Sequence, residues 1–367
     1  MDSIENFDAS NNNLRECFID MGSFLKDQKI IASTIIDLWS GLYSKEDIIC
    51  RNHLQDLASH NLLKLLPLGK NEYGDCFYNE LLVKQDNVSR EFAMHQCEKE
   101  SVSILQRKRL NMDIQENKFP NWCLNLKQPI VLNASLLSIS TDDSFTSCWV
   151  EMHCPDVEVL VLNLCSSNYA LPNFNATMKK LKVVMIMNHG LEPTKLTNLS
   201  CLSSLPYLRR IRFEKGSITL HDIPKLELNN LEKLSLWLCH FDEPLNESEF
   251  DGNLRNLEML RVVSCSSLFE LPETIKILSN LRFLDVSGCF QLKRLPLEIG
   301  KLQKLKKISM RDCYRCELPD SVKNLENLEV KCDEGTVFLW VGFKPKMKNL
   351  IITEEEAEHN LNLLQLF

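Results

Sequence analysis

Glycine is scarce in this chain, 11 among 367 residues. None opens the Gly-x-x-x-x-Gly-Lys-Ser/Thr spacing whose backbone amides cradle a nucleotide phosphate, so no cofactor is expected. No run of 18 apolar residues occurs, and a shorter one does not span a bilayer as a helix. An excess of base is lacking too. Lys+Arg number 42 against 50 Asp+Glu, a net charge of −8, which gives no general pull towards nucleic acid or anionic lipid. The opening residues Met1–Asn13 are acidic and polar and do not form a secretory signal, so the cytoplasm or nucleus is the expected location. The eight histidines are scattered, with no His-Glu-x-x-His and no Gly-x-Ser-x-Gly. The carboxylate groupings Asp142-Asp143, Glu354-Glu355-Glu356 and Glu46-Asp47 sit in loop-like or solvated runs. No constellation for catalysis is present, and an enzyme is not expected.

Leucine and cysteine, by contrast, recur in register. Cys165, Cys239, Cys265, Cys289 and Cys313 each close a segment of the form Leu-x-x-Leu-x-Leu-x-x-Cys, opening at Val157, Leu231, Leu257, Leu281 and Leu305. The last three start 24 residues apart. Weaker copies start at Ala134, Leu181, Leu208 and Leu328. This is the signature of a leucine-rich repeat, within the usual period of about 20–29 residues. Each repeat predicts a short strand with Leu/Val/Ile directed inward and intervening residues outward. One repeat cannot bury its apolar side alone, so neighbours stack into a horseshoe solenoid. The cysteine position predicts a hydrogen bond where the chain leaves the strand, with the thiols reduced. Cys313-x-x-Cys316 lacks a second pair and does not read as a metal site. Leu-Pro at 171, 271, 295 and 318 suits an irregular return segment.

Residues 1–115 lack this period. Asp27 is positioned to cap a helix with Ile31, Ile35, Leu38, Trp39 and Leu42 on one side. A second helix opens near Ser44 and Asp47 and buries Cys50, Leu54, Leu57 and Ala58. The 62–66 and 76–78 runs flank turn residues and predict a hairpin. A further helix from about Val88 to Glu100 is expected to bury Val88 and Phe92. Helix, helix, hairpin, helix is the order of a winged-helix-like domain. With 13 Lys/Arg against 18 Asp/Glu over 1–115, it lacks the basic surface of a DNA reader. The expected organisation is a winged-helix-like unit at 1–115, a linker at 116–130 and repeats at 131–367. The expected fold is therefore α/β, a repeat solenoid behind a small α+β domain.

The run Cys17-Phe18-Ile19-Asp20-Met21-Gly22-Ser23-Phe24, followed by Asp27-Gln28-Lys29-Ile30, resembles the motif that opens the winged-helix part of plant NLR immune receptors. Ile35–Trp39 and Leu57–Leu63 are similar to the next two helices of that family, in wording nearest its helper subclass. The resemblance implies a role in plant defence. It also implies two departures. The phosphate loop is missing from this stretch, so the chain corresponds to the carboxy-terminal half of such a receptor. The family's Met/Gln-His-Asp motif, whose histidine contacts ADP, is degenerate here as Gln85, Asp86 and Asn87, or, one residue earlier, as Lys84, Gln85 and Asp86, which keeps the aspartate but still lacks the histidine. A carboxylate at the histidine place repels phosphate. The plainer alternative for these three residues is a solvated turn before a helix.

The working surface expected of a solenoid is its concave strand side. The register places Arg210, Arg212, Lys233, Trp237, Arg261, Phe283, Asp285, Lys307 and Arg311 there. Arginine mixed with aromatics is typical of protein-binding hot spots, and Arg210, Arg212, Trp237, Arg261, Phe283 and Arg311 are the candidate partner contacts. Val159, Val161, Val183, Met185 and Met187 form an apolar stretch that faces either a partner or the amino-terminal unit. The run 337–343, Val-Phe-Leu-Trp-Val-Gly-Phe, predicts a β-like cap. The expected partners are proteins, not nucleic acid. The family resemblance implies immune signalling components, among them lipase-like heterodimers and full-length helper receptors. A fragment of an ADP/ATP-switched receptor and an adaptor outside immunity are the competing readings.

Overall fold

The computed structural model describes residues 12–67, 81–99, 108–125, 129–172, 177–203, 205–218, 227–241 and 254–354. These fall into two compact units. One holds 12–163 with 177–185, the other 164–172 with 186–354.

The first unit opens with helix Asn12–Asp20 and the short turn Met21–Ser23. Strand Lys29–Ile31, helices Ala32–Tyr43 and Asp47–Ser59, strands Lys64–Pro67 and Leu81–Lys84, and helix Asn87–Lys99 follow. The strand Leu81–Lys84 lies between the other two, antiparallel to both. This is the winged-helix-like order. Asp27 does not cap a helix; it sits in a turn at φ 58°. The chain first pairs Lys29–Ile31 with Leu82–Lys84, which delays the helix to Ala32. The second helix buries Cys50, Leu54 and Leu57, as its spacing requires. Val88 does not point inward: it is 67% exposed, while Ala93 and Cys97 are buried. The Asp86 cap sets the helix phase so that Phe92 lies only half-buried, 6.3 Å from Phe18. The expected strand at 76–78 lies outside the described residues.

The same unit contains the first parallel strands, Arg109–Ile114, Leu136–Thr141 and Val159–Leu164 up to Asn163. Arg109 pairs with Leu136 and Ile114 with Thr141. The ladder thus begins within the stretch expected to close the amino-terminal domain. It also brackets the 116–130 segment expected as a linker, and a division at residue 115 does not coincide with the compact units.

The second unit carries seven successive parallel strands: Arg210–Glu214, Lys233–Trp237, Met259–Val263, Phe283–Asp285, Lys307–Ser309, Glu329–Cys332 and Ile351–Glu354. A smaller parallel ladder, Asn168–Ala170, Thr194–Thr197, Gly216–Ile218 and His240–Phe241, follows the strand ends. Leu231, Leu234 and Leu236 and their counterparts Leu257, Leu260 and Val262 form the core. The described return segments Leu199–Leu202, Glu273–Ile277, Ile299–Lys301 and Asp320–Asn324 are single 3-10 turns, and Pro272 and Pro319 immediately precede two of them. This is a leucine-rich-repeat solenoid.

Cys239, Cys265, Cys289 and Cys313 close their repeats as expected. Cys289 Sγ donates to Val262 O at 3.1 Å and Cys313 Sγ to Val286 O at 3.0 Å, each a carbonyl of the preceding repeat. Cys239 and Cys265 make the same kind of contact at 3.6 and 3.7 Å. Burial pushes the Cys265 and Cys313 thiols well up and Cys316 to about 12. Asparagines form a second ladder. Asn230, Asn256 and Asn280 each donate a side-chain amide to a carbonyl one repeat earlier, at 2.7–2.8 Å.

The run at 337–343 is not a strand. Asp333 and Thr336 form a reciprocal capping box that starts helix Glu334–Val341, satisfying backbone donors that a strand would leave open. The strand of this end is Ile351–Glu354. Among the described residues no helix is long and apolar enough to cross a membrane.

Candidate functional site

Parallel strands repeat about every 4.8 Å, so equivalent residues on one face form rows. One row of the second unit runs Arg212, Ser235, Arg261, Asp285 and Ser309. The row before it runs Arg210, Lys233, Met259, Phe283 and Lys307. The row after it contains Glu214, Trp237 and Val263.

The structure brings three of the six candidate contacts together. The Trp237 ring lies between two guanidinium groups, with Arg212 Cζ 5.0 Å and Arg261 Cζ 4.8 Å from its centroid. Desolvated cation–π contacts of this kind contribute about 2 kcal/mol each. Asp285 Oδ2 accepts from Arg261 Nη2 at 2.9 Å and Nε at 3.1 Å. Glu214 accepts from Arg212 Nε. Arg210 is half-buried on the same strand as Arg212. Phe283 is buried one row earlier, and Arg311 is half-buried beside Ser287, outside the stack.

One expectation needs correction. The register places these side chains on the outer side of the strands, but they are not open to solvent. Arg212, Trp237 and Arg261 are each 1% exposed, and Phe283, Asp285 and Lys233 are buried as well. Close row spacing lets long side chains lie flat over their neighbours. Arginine and tryptophan do so here because each presents a planar group to the next.

The apolar stretch resolves in favour of a contact within the chain. Val159, Val161, Val183, Met185 and Met187 are all buried. A methyl added at Gly41 would sit 2.4 Å from Val183 Cγ2 and 3.2 Å from Val159 Cγ2. The helix Ala32–Tyr43 therefore packs against these valines at its glycine.

The Cys17–Phe24 run is wholly buried and serves as a structural anchor. Asp20 Oδ1 accepts from Arg109 Nε at 2.5 Å, and Asp20 Oδ2 accepts from the Tyr43 hydroxyl at 2.5 Å. Glu16 Oε2 accepts from Arg109 Nη2 at 2.8 Å. Burial raises the Asp20 carboxyl against the pull of Arg109 and Tyr43. For Glu16, burial is outweighed by its bonds to Lys108 and Arg109, and its carboxyl falls below the usual value. Ser23 O accepts from Ser138 Oγ at 2.7 Å and Gly22 O from Asn111 Nδ2 at 3.0 Å. Arg109 stands alone in sequence, with no spacing to Asp20 that would reveal the pair.

Gln85, Asp86 and Asn87 lie at the start of helix Asn87–Lys99. Asp86 Oδ1 accepts from Ser89 N at 2.9 Å and Oδ2 from Ser89 Oγ at 2.7 Å. Burial works to raise this carboxyl, but the Ser89 bonds prevail and hold it low. Asp86 thus acts as a helix cap. Gln85 is buried, and neither end of its amide has a hydrogen-bond partner among the described residues.

No known protein-family profile matches the chain. The probable disease resistance protein At5g66890 of Arabidopsis thaliana is 67% identical over 414 aligned positions, covering 100% of this chain and 99% of that protein. The chain belongs to the plant disease resistance proteins. The NLR resemblance carried by the Cys17–Phe24 run is thereby borne out. A second Arabidopsis thaliana relative, probable disease resistance protein At5g66900, is 55% identical over 98% of the chain but only 50% of its own length. The disease resistance protein ADR1 is 30% identical over 76% of the chain and 35% of its own length. The chain thus spans nearly all of one relative and half or less of the other two. A leucine-rich-repeat protein of Leptospira interrogans aligns over 72% of the chain and 69% of its own, at 20% identity and a TM-score of 0.38.

Proposed function

We propose that this disease resistance protein acts without catalysis, by binding another protein through the strand-side rows of its repeats. The carrying observation is the strand-side face of the second unit, where Arg210, Lys307 and Arg311 remain partly exposed around the buried arginine–tryptophan–arginine stack; arginine is among the residue types enriched at interface hot spots. In this reading the chain regulates, or competes with, full-length helper receptors for their immune partners, the lipase-like heterodimers. Affinity capture of the tagged chain from immune-triggered leaf tissue tests it. Co-purification of helper-receptor partners is the expected outcome. Their absence, alongside a full-length receptor that captures them, refutes the reading.

A second reading has its own support. Because relatives about twice as long align with this chain over 98% of its residues, the same repeats can serve within a longer, nucleotide-switched receptor. Capture of partners only when the chain is joined to a phosphate-loop module favours it.

A further inference from the structure

The last strand of the second unit, Ile351–Glu354, has a neighbour on one side only among the described residues, the strand Glu329–Cys332. Ile351 N–H donates to Leu328 O at 2.9 Å, so the backbone groups of Ile351 and Thr353 turn towards that neighbour. Strand alternation turns those of Ile352 and Glu354 to the open edge. An unpaired edge is a template for another strand, and proteins commonly blunt it with a lysine or a proline. Ile351–Glu354 contains neither. Ile351, Thr353 and Glu354 are exposed, Ile351 at 62%.

Apolar side chains accompany the open backbone groups at this end of the unit. Helix Glu334–Val341 packs against the last two strands. Its Trp340 is buried and donates to Met310 Sδ at 2.8 Å. Phe338 and Val341, three apart and so neighbours on the helix surface, are more than half exposed.

The order of charges decides which strand fits. Lys344, Lys346 and Lys348 precede the strand and are exposed. Glu354 ends it, also exposed, and the sequence continues with Glu355 and Glu356. Lys344, Lys348 and Glu354 have no ion-pair partner among the described residues. A segment that is basic before its strand and acidic at its end is complementary to itself in one orientation. Antiparallel pairing of two copies brings the lysine end of each towards the glutamate end of the other, whereas parallel pairing sets like charge against like. A two-fold axis at Thr353 also sets Ile352 opposite Glu354 of the second copy, and these are the residues whose N–H and C=O groups face outward. Each such pair exchanges both of its backbone hydrogen bonds.

We propose that Ile351–Glu354 is a docking edge for a second copy of this chain, the two strands pairing antiparallel across a two-fold axis. The inference is separate from the immune-partner reading and does not rest on it.

Sedimentation velocity on the whole chain between about 1 and 100 µM, a range that reads weak association, tests it together with amide hydrogen exchange. A reversible conversion of monomer to dimer is expected, with exchange at Ile352 and Glu354 slowing as concentration rises. Lysine at 354, 355 and 356 together, or glutamate at 344, 346 and 348 together, is expected to weaken the dimer at least about tenfold. Exposed pairs are individually weak, but a two-fold interface counts every change twice. Combining the two reversals is expected to restore association to within about threefold of the unaltered chain. Should a reversal fail to fold, the exchange profile of the unaltered chain decides. A monomer at every concentration would overturn the proposal, as would assembly that runs past the dimer, the mark of a pairing that does not close. Slow exchange at Ile352 and Glu354 in a monomer would make the chain's own last residues the occupant and overturn it too. A dimer indifferent to both reversals, or one that the combined reversal does not restore, would do the same.

Discussion

Two arginine centres are buried in this protein, and they are finished differently. In the first unit Arg109 meets Asp20, Glu16 and Tyr43, with bonds from its Nε and Nη2 within 3.4 Å. In the second, Arg212 and Arg261 also have carboxylates, but they enclose Ser235 and Trp237, whose donors meet no acceptor among the described residues. The first centre joins a helix to a strand 89 positions later in sequence and leaves nothing for a ligand to add. The second is built from one residue per repeat along a ladder. A repeating lattice places equivalent side chains at fixed spacing whether or not their bonds are complete.

The comparison can be broken most forcefully at Arg109. Asp20→Ala removes half of a buried pair and is expected to cost about 3–5 kcal/mol. Chemical denaturation showing less than about 1 kcal/mol would mean that Glu16 alone suffices and the centre is not closed. Trp237→Ala comes next. The sequence register alone predicts an exposed residue whose loss spares stability. The stack predicts a cost of about 3–5 kcal/mol, at least matching the 2–5 kcal/mol expected for the core comparator Leu284→Ala. A melt in which only Leu284→Ala falls would restore the exposed reading.

Smaller effects sharpen the contrast. Gly41→Ala forces a methyl against Val183 and is expected to cost about 1–3 kcal/mol, with the melting temperature as the measure. A neutral result would show that the helix can move off the valines. Val88→Ala is expected to stay within about 0.5 kcal/mol, since the residue is 67% exposed. A larger loss in the same melt would return Val88 to the buried side that its spacing suggested.

The legible parts of this molecule follow local periodicity. Leu231, Leu257 and Leu281 recur in step, and the strands and cysteine bonds sit where that step puts them. The errors arise where a second local preference competes. Asp333 and Thr336 outweigh the β-like character of 337–343. Asp86 turns its helix away from Val88, and strand pairing at Lys29–Ile31 displaces the cap expected at Asp27. Of the candidate contacts, Arg212, Trp237 and Arg261 could be named as sharing a face, because parallel register is arithmetic. Their burial could not, because it depends on how planar side chains fold over one another across neighbouring repeats.

By itself, the sequence determined the repeat, its inward and outward positions, the cysteine ladder and the kinship to plant disease resistance proteins. These are encoded by residue spacing over fewer than 30 positions. Tertiary structure alone decided that Asp20 seeks Arg109, that Gly41 admits two valines, and that Arg212, Trp237 and Arg261 are buried in one stack. Each depends on chain segments meeting across at least 20 positions, where the outcome is set by packing geometry and no local pattern records it.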